Sequence, residues 1–109
     1  MIKNEIINEL IAGLQNIFGD KLYSIILYGS VARGEDMAES DIDIALLMKE
    51  SLDDDTKENF LCWNASMDMK YNKIFSIIDI EKSIFDRWGN IYPLYQNIKN
   101  EGIVLWKAA

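Results

Sequence analysis

The chain has 109 residues, enough for one domain (1–109) with a single hydrophobic core. Half of the residues are hydrophobic and 27% are charged, which excludes a disordered chain; a net charge of −7 argues against a nucleic-acid-binding face, which must be basic. There is no histidine and one cysteine, Cys62, so a histidine base, an intrachain disulfide and an ordinary zinc site are all excluded. Any metal must be a hard cation on carboxylate oxygens. No signal-peptide pattern opens the sequence and no apolar run approaches the length of a membrane span, so a cytoplasmic location is expected.

Residues 2–18 read as an amphipathic helix, with Ile2, Ile6, Ile7, Leu10, Ile11, Leu14, Ile17 and Phe18 at three-and-four spacing. Gly19 supplies its stop. Leu22 to Tyr28 is short, aromatic and β-branched, and apolar on both alternations, which predicts a strand buried on both faces. It ends abruptly at Gly29-Ser30. Val31 to Asp36 begins a short helix or turn, and a loop runs on through Ser40.

Asp41 to Met48 alternates, with Ile42, Ile44, Leu46 and Met48 on one face and Asp41, Asp43, Ala45 and Leu47 on the other. A second strand is expected there. The acids Asp53, Asp54 and Asp55 precede a helix from about Thr56 to Lys70, whose first turn they favour through the helix dipole. Phe60, Trp63 and Met67 form its stripe, and Cys62 beside them is expected to be a buried structural thiol.

Lys73 to Ile80 reads as a third strand, in which Phe75, Ile77 and Asp79 share a face. A short helix or turn follows over Glu81 to Trp88. Pro93 then starts a last helix that carries Tyr95 and Ile98 inward and stops at Gly102. Ile103 to Trp106 can add a small edge strand, and Trp88 and Trp106 are candidate interface anchors. The order predicts an α/β (α+β) fold: a small mixed sheet flanked by helices, with a helical crossover between the second and third strands.

The chemistry concentrates between Tyr28 and Ile44. Asp41 and Asp43 project from one face of a strand, and neighbouring carboxylates resist double ionisation unless a cation lies between them. Magnesium takes one or two carboxylates together with phosphate oxygens. Gly29 allows backbone amides to close on phosphate, Ser30 adds a hydroxyl donor, and Arg33 offers a fork of donors. Each piece alone has a bland alternative: a solvated strand end, a common turn, a surface arginine.

Together they form a pattern. Gly29-Ser30, Arg33-Gly34 and, ten residues after Ser30, Ser40-Asp41-Ile42-Asp43 lie between two strand-like runs. This motif resembles that of the nucleotidyltransferase superfamily of DNA polymerase beta. In length and element order the chain resembles its smallest branch, the minimal nucleotidyltransferases (MNT proteins). The C-terminal run from Ile91 to Trp106 is similar to the ending of MNT antitoxins paired with HEPN-domain toxins.

The resemblance implies a polymerase beta-like nucleotidyltransferase fold, ATP as substrate, and two Mg²⁺ ions on Asp41 and Asp43. It implies Gly29, Ser30 and Arg33 on the phosphates and a third carboxylate on a following strand. Asp79 is the candidate for that third ligand, if its strand pairs with the second; a strand-end aspartate is the alternative. The implied reaction is transfer of AMP to a hydroxyl, here a tyrosine of a HEPN toxin partner, as in a type VII-like toxin–antitoxin pair. A silent antitoxin acting by binding alone, and transfer to a small-molecule hydroxyl, are the other readings.

Overall fold

The computed structural model describes residues 2–35 and 41–109; Ser40 of the motif and Asp36 lie outside the described residues. Helix α1 spans Asn4–Phe18 and is followed by a single 3₁₀ turn. Then come strand β1 (Leu22–Tyr28), the short helix α2 (Gly29–Ala32) and strand β2 (Ile42–Met48). Helix α3 (Asp54–Tyr71) leads into β3 (Phe75–Glu81), α4 (Lys82–Trp88), α5 (Pro93–Glu101) and β4 (Ile103–Lys107).

The strands form one mixed sheet in the order β3-β2-β1-β4. β1 pairs antiparallel with β2 and β4, while β2 and β3 run parallel. The parallel pair requires a crossover, which α3 supplies. β1 and β2 are central with apolar clusters on both faces of the sheet, which explains why β1 is apolar on both alternations. β4 is an edge strand, as its length and position predict.

The sheet separates two apolar clusters. Ile42, Ile44, Leu46, Met48 and Phe75 pack with Ile25 and Leu27 of β1 against Leu10, Leu14 and Phe18 of α1 and Phe60 and Met67 of α3. On the other side Ala45, Leu47, Ile80 and Ile26 meet Phe85 of α4 and Ile98 of α5, with Tyr95 partly buried beside them. α1 and α3 approach closely because Gly13 has no side chain: a Cβ there would strike the Trp63 indole.

Two boundaries moved for physical reasons. Helix α3 begins earlier than Thr56 because Asp53 is its N-cap, its carboxylate accepting the Thr56 N–H at 2.7 Å. At its other end Asn72 adopts a left-handed conformation with φ 51°, and β3 therefore starts at Phe75 rather than Lys73. The expectation of a buried Cys62 is corrected: the thiol is exposed. Two residues beyond Phe60, it is turned about 200° around the helix from that buried ring.

Candidate active site

β2 enters the sheet directly after Asp41, where the Ile42 N–H donates to the Ile74 carbonyl at 2.9 Å. That bond ties the start of β2 to the chain entering β3. Asp41 is exposed and Asp43 is half-buried. Asp43 lies opposite Tyr28, the last residue of β1, so the end of β1 and the beginning of β2 meet at one rim of the sheet.

Immediately after Tyr28 the chain turns at Gly29, which adopts φ +78°. A Cβ at this position would overlap the Asp43 carboxylate, so the turn can lie against the acid only because the residue is glycine. The following backbone is tightly closed: the Arg33 N–H donates to the Gly29 carbonyl at 3.1 Å and the Glu35 N–H to the Ser30 carbonyl at 2.9 Å. Val31 anchors this short turn in the larger core. Gly29, Ser30, Asp41 and Asp43 therefore come from two neighbouring elements at the same rim.

The electrostatics at that rim fit a cation. Burial pushes the Asp43 carboxyl above the usual carboxylate range, the charge of Asp41 pushes it further, and Arg33 partly offsets both. Two neighbouring acids, offering hard oxygen donors at the start of one strand, suit Mg²⁺. Burial and the Asp43 charge also raise the Tyr28 phenol, so it stays protonated at neutral pH. Arg33 is held by two acids: its Nε donates to Glu35 at 2.9 Å and its Nη1 to Glu101, at the end of α5, at 2.7 Å.

Asp79 does not join this group. In the parallel β2–β3 ladder Asp43 is level with Ser76, while Asp79 is level with Leu46, three positions further along. Leu46 belongs to the larger cluster, so Asp79 lies on the opposite face of the sheet from Asp43, and it is exposed. The expectation of Asp79 as a third ligand is corrected by this register. The polar residue of β3 that does share the Asp43 face is Ser76, whose hydroxyl lies 3.4 Å from Asp41 Oδ2. Among the described residues no cluster of three acids, cysteines or histidines capable of holding a metal occurs.

A glycine turn closing one strand, set against an Asp-x-Asp that opens its neighbour in a small mixed sheet, is the arrangement of a nucleotidyltransferase. Residues 8–108 match the family model described as polymerase beta, nucleotidyltransferase. The chain belongs to this family and is a nucleotidyltransferase.

It is similar to proteins of Methanocaldococcus jannaschii. One, named "Putative protein adenylyltransferase MJ0141", is 36% identical over 80 residues, covering 73% of this chain and 81% of its own. Another of the same designation, MJ0604, is 31% identical over 106 residues, covering 97% and 100%. Among solved structures, a toxin–antitoxin with AMP-PNP superposes with a TM-score of 0.67 at 24% identity, over 94% of this chain and 73% of that one. A tri-AMPylated HEPN toxin of Shewanella oneidensis in complex with its MNT antitoxin gives 0.65 at 21% identity, over 98% and 74%. These two likenesses establish the fold.

Proposed function

We propose that this chain is a Mg²⁺-dependent protein adenylyltransferase that moves AMP from ATP to a tyrosine hydroxyl of a HEPN-domain toxin and so acts as its antitoxin in the cytoplasm. The observation that carries the reading is the placement of Asp41 and Asp43 at one rim of the sheet with the Gly29 turn against Asp43. The adenylyltransferase designation of the archaeal relatives and the toxin–antitoxin setting of the structural neighbours support it.

In this reading Asp41 and Asp43 hold the cation, the backbone of Gly29 and Ser30 receives the phosphates, and Arg33 lies beside them. When bound, Mg²⁺ neutralises the charge that builds on the phosphates and on the departing pyrophosphate. The acceptor oxygen forms its bond to the α-phosphorus as the bond to the bridging oxygen breaks; pyrophosphate leaves and the hydroxyl proton passes to water. A phenol, with an ordinary pKa of about 10, makes little demand on a protein base. That suits a rim at which β3 presents a serine rather than an acid.

The test is intact-mass measurement of the toxin after incubation with this chain, ATP and Mg²⁺. One or more added AMP masses are expected, and Asp43→Asn should reduce the rate at least about 100-fold, in line with the loss of a group that stabilises developing charge. An unmodified toxin would refute the reading. One observation favours a second reading: the absence of a third acid on the Asp43 face of β3 is compatible with a silent antitoxin that acts by occlusion. Protection of cells by an Asp41→Asn/Asp43→Asn variant as strong as that by the wild type would support it.

A further inference from the structure

β3 places three polar side chains in the ladder with β2, and the register puts Ser76 on one face and Asp79 and Glu81 on the other. Asp79 is level with Leu46 and faces away from the acid pair. Ser76 is level with Asp43, half-buried, and turned toward Asp41 at 3.4 Å. Ser76 therefore occupies the one β3 position from which a side chain can reach both aspartates. Its hydroxyl can donate to Asp41.

We propose that residue 76 sets the cation affinity of this site: Ser76 is a positioning residue that fixes the Asp41 carboxylate by hydrogen bonding, and Asp79 has no part in cation binding. This rests on the reading of Asp41 and Asp43 as the cation pair. Supporting hydrogen bonds orient metal-binding carboxylates, and the number of charged donors governs the affinity of hard-cation sites. Removing the hydroxyl should therefore loosen the site, while placing a carboxylate there should tighten it. The same changes at residue 79 should do nothing.

The experiment is titration of the nucleotide-free protein with Mn²⁺, following the free aquo-ion by electron paramagnetic resonance. Ser76→Ala should weaken binding about threefold, the effect of one modest hydrogen bond. Ser76→Thr, which keeps the hydroxyl, should restore wild-type affinity. Ser76→Asp should tighten binding at least about tenfold through its added charged donor. Added Mn²⁺ should also raise the melting temperature of Ser76→Asp more than that of the wild type, by mass action on the folded state.

Asp79→Asn should bind as the wild type does. Affinities for Ser76→Ala and Ser76→Asp equal to the wild type would overturn the proposal, as would a loss of affinity in Asp79→Asn. If Ser76→Asp does not fold, the Ala and Thr pair decides alone. The Asp41→Asn/Asp43→Asn variant separates the two levels. Wild-type Mn²⁺ affinity in that variant removes the underlying reading and Ser76 with it; lost affinity there, with Ser76 variants unchanged, removes only the role of Ser76.

Discussion

At the scale of single residues, Gly29 bears most directly on the site. Its backbone is left-handed, and the space a side chain would fill is taken by the Asp43 carboxylate. Gly29→Ala combines a left-handed strain of about 1–2 kcal/mol with displacement of the Asp43 carboxylate. A urea melt should register that loss of stability, and transfer per folded molecule should fall as well, since Asp43 must move. Unchanged transfer in Gly29→Ala would mean that Asp43 has no fixed position to lose. The sequence made Gly29, Ser30, Asp41 and Asp43 legible because their spacing between two apolar runs is local information. Asp79 was misplaced for a different reason. The alternation that puts Phe75, Ile77 and Asp79 on one face can be read from the chain; which face that is depends on the β2–β3 register, a property of two strands joined across a helix.

At the scale of elements, the polar segment before α3 shows how a run of acids is used. Asp53 caps the helix through Thr56 and also accepts from Lys21 Nζ at 3.0 Å, joining the start of α3 to the turn before β1. The backbone hydrogen bond from Thr56 is the main reason that its carboxyl lies far below the usual range, with Lys21 adding to it. A carboxyl depressed on folding contributes stability above its unfolded pKa of about 3.9, and that contribution disappears as pH falls through the lower folded value. Asp53→Ala should therefore unfold at lower urea than the wild type at pH 7, and the gap should narrow below about pH 3. A gap that persists in strong acid would point to lost packing rather than to the cap. The helix itself was legible from its acids and from Phe60 and Met67. The exposure of Cys62 was not, because a residue two positions from Phe60 lies on the other side of the helix.

For the whole molecule, β2 joins the function to the fold. Its even positions, Ile42 to Met48, fill the large core under α1 and α3, while its odd positions carry Asp43 and then Ala45 and Leu47 into the smaller cluster under α4 and α5. One strand thus supplies the stability of the domain on one face and the wall of the candidate site on the other. The two functions can be separated by substituting adjacent residues. Leu46 is fully buried among residues of two long helices, so Leu46→Ala leaves a cavity that rigid surroundings cannot close, at about 3–5 kcal/mol. Leu47 is 5% exposed beneath two short helices that can settle into the gap, and Leu47→Ala should cost nearer about 2 kcal/mol. Transfer per folded molecule should show the opposite order. Leu47 lies on the Asp43 face and its loss loosens the strand where the acid is held, whereas Leu46 is screened from the site by the sheet itself. Urea midpoints and initial transfer rates on the two variants would measure both orders. Equal losses of rate would mean that β2 moves as one rigid body and that the smaller cluster has no separate hold on the site.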